Sequence, residues 1–368
     1  MTAALAHLRV VEIGDDSGAY AGRLFAGLGA KVVRARVPQS AAPDSWNVDP
    51  DPVVQDFLHR GKVEVLLPAE ASNRSVALAE LLRGTDITIE SGSTDVLAQL
   101  GLDPDHPALA DPKLIRTRIS PWGIQDERAG SPATDLISSA AGGFLALGGW
   151  PDRAPTRAYG DQSLRMASLY AAVGALLAVR ARTRSGSGQQ VEVSVQESVA
   201  TALENALQYS DLEGMVRRRV GAGYQEAGTG VYACSDGFVY VMVGRLSTAQ
   251  GWANLLDWFE ESGVQGSTGL RTPEWTDHEY RKSAAAQAEF RRIFESFAAD
   301  RSKAELYVEA QRRNIAVCPV NSPQDLLASE HLNARDFFVT ADDRRFVGAP
   351  FRLSATPWSL PVPTRVSA

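Results

Sequence analysis

Short β-branched runs alternate with apolar positions at helical spacing through the first half of the chain. Leu8-Arg9-Val10-Val11-Glu12-Ile13 predicts a strand that ends at Gly14. Leu24, Phe25 and Leu28 give the stretch from Gly18 to Gly29 a helical face, and Lys31 to Val37 reads as a second strand. A strand, a helix and a strand within roughly 30 residues form a βαβ unit, which places the two strands parallel in one sheet. The pattern recurs: Val63 to Leu67 as strand, Ser75 to Arg83 as helix, Asp86 to Glu90 as strand, and Leu114 to Ser120 as a strand closed by Pro121. A long helix is predicted over Gln162 to Arg184, stopped at Ser185-Gly186-Ser187-Gly188. A strand over Gln190 to Val195 and a helix over Gln196 to Tyr209 follow.

From Val231 the texture changes. Tyr232-Ala233-Cys234 and Phe238 to Val243 flank a Ser235-Asp236-Gly237 turn and predict a hairpin. Amphipathic helices then run to about Arg313, and the C-terminal stretch around Phe351-Arg352-Leu353-Ser354 reads as extended. The expected class is α/β, with a parallel sheet in the larger part and a smaller α+β part after it. Ligands of open parallel sheets bind beyond the carboxyl ends of the strands. That singles out the loops Gly14 to Gly22, Glu90 to Thr94 and Ser120 to Gly123.

Composition narrows the function classes. The 368 residues carry a net charge of −7, and the one dense basic cluster, Arg217-Arg218-Arg219, is too short to build a nucleic-acid groove. Apolar stretches such as Leu169 to Val179 fall short of a bilayer span, so neither nucleic acid nor membrane is expected as partner. The opening MTAALAHLRVVEIG lacks the basic and apolar regions of a signal peptide, which points to the cytoplasm. Cys234 and Cys318 read as reduced core thiols. The five histidines stand singly without metal-ligand spacing, so no metal is expected. A dinucleotide fingerprint is missing from the Gly14, Gly18, Gly22 loop.

Several segments, in order, resemble the family III coenzyme A transferases, the group that includes carnitine-CoA and formyl-CoA transferases and α-methylacyl-CoA racemases. They are Ser17 to Ala30, Leu177 to Ser198 (LAVRARTRSGSGQQVEVSVQES), Tyr232 to Gly237, Val317 to Pro323 and Gly348 to Ser354. The resemblance implies a Rossmann-like large domain (1–215), a small domain (225–322) and a C-terminal segment (323–368) returning to the large one. It also implies an interlocked, ring-like homodimer, or a heteromer with a paralogue. The substrates it implies are an acyl-CoA and a carboxylic acid acceptor, with coenzyme A carried as the thioester.

In such transferases an aspartate attacks the thioester and a mixed anhydride forms. A carboxylate suits this task because the anhydride keeps the acyl group activated, where a serine ester would not. The resemblance places that aspartate just before the long helix, and Asp161 is the candidate. The same position is that of an ordinary helix N-cap, and both readings stand at this point. Racemase chemistry needs an acid and a base flanking the α-carbon. The resemblance puts a His-Asp pair at Thr134-Asp135, and a threonine there cannot act as base. Asp135 reads as a helix cap that could line the site. For coenzyme A the resemblance nominates Gly18 and Tyr20 in the first loop, Arg36 closing the second strand, Arg60 and Lys62 as phosphate contacts, and Ser91 after the fourth. The alternatives to CoA transfer are a lyase or hydrolase acting on CoA thioesters, and a non-catalytic subunit that pairs with an active paralogue.

Overall fold

The computed structural model describes residues 3–38, 42, 48–203, 206–221, 226–244, 249–360 and 364–365. The chain separates into two compact units. The first is built from Met1–Ala146, Arg157–Arg217 and His331–Ala368, the second from Leu147–Thr156 and Arg218–Glu330.

In the first unit the order is β1 (Arg9–Gly14), α1 (Ala19–Gly27), β2 (Lys31–Arg36), α2 (Pro52–His59), β3 (Val63–Leu66), α3 (Ala71–Leu82), β4 (Ile87–Ser91), α4 (Val96–Gln99) and β5 (Ile115–Ser120). Then come α5 (Asp135–Ala141), α6 (Phe144–Leu147), α7 (Gln162–Ser185), β6 (Gln190–Ser194), α8 (Val195–Thr201) and α9 (Ala206–Glu213). The strands pair in the order β3-β2-β1-β4-β5-β6, and every pairing is parallel. The sheet expected from the βαβ repeats is therefore present. Residues Thr364–Arg365 add a short parallel strand on the β3 edge.

Successive strand residues face opposite sides, and both sides are covered. Val10, Ile87, Ile89, Ile115 and Ile119 pack under Phe25 of α1 and the alanines of α7. Val11, Ile13 and Ala35 pack against Leu78 and Leu82 of α3 and Val96 and Leu97 of α4. Helix α7 reaches the sheet through small residues: Ala167, Ala171, Ala175 and Ala178 are all buried. A Cβ at Gly174 would stand 2.7 Å from Val191 Cγ1, so glycine is what permits that approach. Its 24 residues are long and apolar enough to cross a bilayer. The alanine face lies against the sheet, however, which is the packing of a core helix. Leu169, Tyr170, Val173 and Leu177, on its other side, are exposed.

Three elements depart from the expectation. Helix α2 was not legible as a helix: Pro52 opens it at a position where a missing N–H costs nothing, and the Asp51 carboxylate caps Val53 N at 2.8 Å. The helix expected over Gln196 to Tyr209 is two helices, α8 and α9. Near the C-terminus an antiparallel hairpin pairs Phe338–Ala341 with Arg344–Val347. It turns through Asp342 (φ 48°) and Asp343 (φ 59°), a left-handed conformation that short polar side chains tolerate.

The second unit is α+β. Strands β7 (Thr229–Cys234), β8 (Gly237–Met242) and β9 (Val317–Pro319) form an antiparallel sheet, with Cys234 opposite Gly237 at the tight turn. Helices α10 (Ala249–Glu261), α11 (His278–Arg281), α12 (Ala284–Ala298) and α13 (Lys303–Arg312) surround an aromatic core of Tyr232, Trp252, Phe259, Trp275, Phe290 and Phe294. Residues 147–156 join this unit through backbone contacts, Gly221 N to Gly149 O at 3.0 Å among them. Cys234 and Cys318 are free thiols; Cys234 is half-buried and packs against the core of this unit, whereas Cys318 is exposed.

Candidate active site

Beyond the N-terminal end of α7 lies a cleft of about 860 Å³ within the first unit. One wall is the segment Arg157 to Gln162 with Arg165. The other is Tyr20 from the start of α1 together with Asp49, Asp51, Val54 and Phe57 from the approach to α2 and α2 itself. Gly160, at φ +74°, turns the chain so that Asp161 enters α7 at the cleft floor.

Asp161 holds the N-cap position of α7, yet its carboxylate accepts no capping hydrogen bond. Asp135 takes over that task from a neighbouring helix. Its Oδ1 accepts the Ser163 N–H at 2.7 Å in a buried contact, while Thr134 caps α5 by accepting from Ile137 N. The Asp161 carboxylate is left half-open to the cleft. Burial raises its pKa above the ordinary 3.8 and Asp135 and Asp49 add to that, while Arg165 opposes it. Its nearest cation is Arg165, whose Nη2 stands 3.7 Å from Oδ2. The positive end of the helix also favours the anion. The arrangement leaves a carboxylate without a capping bond, partly desolvated, on the lining of a cavity.

Behind the α2 wall is a buried polar cluster. Asp16 Oδ2 accepts from Asp49 N at 2.8 Å and from Gln55 Nε2 at 2.7 Å, while its Oδ1 faces Arg34 at 3.6 Å and His59 Nε2 at 3.4 Å. Burial pulls the Asp16 pKa up, but the contacts from His59, the Asp49 N–H and Arg34 outweigh this and leave it lowered. His59 Nδ1 lies 3.1 Å from the Lys62 ammonium and acts as acceptor there, so its proton sits on Nε2, toward Asp16. Burial, followed by the Lys62 charge, lowers the His59 pKa to about 2, and the ring stays neutral. Asp16 thereby ties the cleft-lining segment to the β1–α1 loop.

The nominated coenzyme A residues divide sharply. Tyr20 shares the cleft with Asp161 and stacks on Phe57, ring centroids 6.1 Å apart. Gly18 is buried beneath it, where a Cβ would meet Ile89 Cγ2 at 2.9 Å, so glycine serves the packing of α1 on β4. Arg36 is half-exposed at the end of β2, 3.5 Å from Glu64, and does not line the cleft. The other three are buried and held by the chain's own groups. Lys62 has no exposed surface; its ammonium donates to Glu12 Oε2 at 2.6 Å and to Ala19 O at 2.8 Å. Burial lowers its pKa to about 8 against the pull of Glu12. Arg60 is buried between Asp56 and Asp342 over the Phe346 ring. Ser91 is buried, its hydroxyl donating to Asp15 O at 2.6 Å. Lys62 and Ser91 spend their donors within the chain, and Arg60 spends both its Nη nitrogens there.

Asp49, Phe57 and Arg165 were not anticipated. Arg165 could have been found, because a basic residue four positions after an acid on a helix lies on the same face.

With this geometry in hand, the comparisons with known proteins decide the family. The family model for CoA-transferase family III matches residues 5–364. The chain belongs to that family. It is a CoA-transferase, an enzyme acting on acyl-CoA thioesters and carboxylates. It is 35% identical, over 96% of its own length and 88% of the relative's, to the succinyl-CoA:(R)-benzylsuccinate CoA-transferase subunit BbsE of Thauera aromatica. To the succinyl-CoA–D-citramalate CoA-transferase of Chloroflexus aurantiacus it is 26% identical, over 95% of this chain and 88% of the other. The solved structure of a CaiB/BaiF family protein from Brucella suis superposes with a TM-score of 0.86 at 20% identity, covering 98% of this transferase and 96% of that chain. That likeness speaks to the fold.

Proposed function

We propose that this transferase moves CoA between two dicarboxylic acids, with Asp161 as covalent nucleophile. The observation that carries the reading is the free Asp161 carboxylate, relieved of helix capping by Asp135. The Asp161 carboxylate attacks the thioester carbonyl, the C–S bond breaks, and CoA leaves as thiolate. The product is a mixed anhydride. Attack of the thiolate on the aspartyl carbonyl releases the donor acid and stores CoA as an aspartyl thioester. The acceptor carboxylate then runs both steps in reverse, leaving as its CoA thioester and returning Asp161. No water need take part, and no oxidant or other co-reactant.

The relatives support the choice of acids, since their names specify succinyl-CoA as donor and benzylsuccinate or citramalate as acceptor. Tyr20 flanks the position of the thioester in this reading, with Gly18 packed beneath it, and Arg36 remains a phosphate contact at the strand end. Lys62, Arg60 and Ser91 act structurally. The test is CoA exchange between succinyl-CoA and a second diacid. Asp161→Ala should lose at least about 10³-fold in kcat while keeping its fold. An active Asp161→Ala variant would remove the nucleophile from this account.

The reading includes a homodimer, with pairing to a paralogous chain as the alternative. Two features support it. Helix α9 buries none of its described side chains within the chain, and so short a helix is not stable alone. The α7 row Leu169, Tyr170, Val173 and Leu177 stays uncovered.

A further inference from the structure

Arg165 lies one turn into α7, on the wall of the cleft that holds Asp161. Its side chain is only 19% exposed. Nη1 is buried and has no hydrogen-bond partner among the described residues. Nη2 comes within 3.7 Å of Asp161 Oδ2, an ion-pair distance too long for a hydrogen bond. The carboxylates whose charge it feels are Asp161, Asp16, Asp135 and Asp49. The last three are occupied elsewhere. Asp16 accepts from Asp49 N and Gln55, Asp135 from Ser163 N, and Asp49 from Asp51 N. A guanidinium nitrogen buried without a partner is costly, and on the wall of a cleft such a group is a candidate partner for a ligand carboxylate.

We propose that Arg165 is the specificity-determining residue for dicarboxylic acids, and that it holds the substrate carboxylate that does not react. The inference rests on Asp161 being the nucleophile. A guanidinium presents paired donors in a fixed plane that matches a carboxylate. Placed beside Asp161, it would fix one end of a short diacid while the other end meets the nucleophile. The same charge offsets the repulsion between the bound carboxylate and the Asp161 anion. A monocarboxylic acid of equal length leaves Nη1 unpaired and forfeits that contact. Tyr20 and Phe57 on the opposite wall give the apolar part of the acid a surface to pack on.

The test compares two acceptors of matched length, succinate and butyrate, with one shared CoA donor, so that effects on the donor half-reaction cancel in the ratio. The wild type should favour succinate in kcat/KM. In Arg165→Gln the succinate-to-butyrate ratio should fall roughly 30-fold or more, the scale of removing one member of a desolvated charge pair. Arg165→Lys should recover part of it. A wild type without preference for the diacid overturns the proposal. So does an unchanged ratio in Arg165→Gln, including the case where both acceptors slow equally because Arg165 serves Asp161 alone. Arg165→Lys decides in the same way if the glutamine variant does not fold. Trapping the acyl adduct on Asp161 separates this from the underlying reading. With an adduct present and the ratio unmoved, only the role of Arg165 falls; without an adduct in the wild type, the nucleophile falls whatever the ratio does.

Discussion

At the scale of single residues, the division of labour between Asp161 and Asp135 is the point most open to measurement. A side-chain N-cap is worth about 1 kcal/mol. Because Asp161 makes no such bond, Asp161→Ala should leave the thermal midpoint nearly where it was while abolishing turnover. Asp135→Ala should do the reverse in stability, costing ~1–2 kcal/mol, because a buried charged acceptor for Ser163 N is lost. The pH dependence follows from the same environment. Burial raises the Asp161 pKa above 3.8, so the acid limb of the rate profile should lie above that value, with activity lost as pH falls through it. The sign for stability is opposite. The folded carboxyl holds its proton more tightly than the unfolded one, so folded stability declines as pH rises through the interval above 3.8. Asp161→Asn should therefore be slightly more stable than wild type at neutral pH. Solvent screening keeps the gain to a few tenths of a kcal/mol. A thermal melt at neutral pH and another near pH 3 check this.

Part of the candidate site was legible at this scale. A carboxylate placed before a long helix was visible in the chain, whereas its freedom from capping was not. That freedom depends on Asp135, 26 residues earlier, reaching a neighbouring helix end. The internal partners of Lys62, Arg60 and Ser91 were hidden for the same reason. A basic residue in a loop reads as a free cation, and nothing local reveals that Glu12 or Asp342, 50 and 282 residues away in the chain, will neutralise it.

Among the elements, the parallel strands were the easiest to read, because central strands of a sheet covered on both faces are apolar runs bounded by turns. Gly14 shows how tightly they are joined. At φ +119°, with a virtual Cβ 1.9 Å from Ser91 O, it admits no side chain. Gly14→Ala should cost ~3 kcal/mol or more and lower expression of folded protein. The hairpin of residues 338–347 was not legible, since its strands are short and half polar. Arg60, held between Asp56 and Asp342 over Phe346, attaches it together with Arg23, which donates to Val347 O, and the Arg344–Asp56 pair. Arg60→Ala should lower stability by about 1–2 kcal/mol and speed amide exchange in the hairpin. It should leave KM for acyl-CoA nearly unchanged. A large rise in that KM would restore Arg60 as a phosphate contact.

For the whole molecule, the order of βαβ units predicted the sheet, and the late change to hairpin and amphipathic helices predicted a separate α+β unit. The inclusion of 147–156 in that unit could not be read, because it rests on contacts between distant positions, Gly221 N to Gly149 O and Arg219 to the carbonyls of Trp150 and Arg153. The uncovered row on α7 and the unburied α9 belong to this scale too. Light scattering should return twice the chain mass, and Val173→Glu with Leu177→Glu should shift it toward monomer.

The central claim is that Asp161 carries the acyl group. Wild-type enzyme mixed with succinyl-CoA, quenched with hydroxylamine and digested should show a hydroxamate at Asp161, dependent on the thioester. A peptide left unmodified while CoA exchange proceeds, or an adduct on any other residue, would contradict the account.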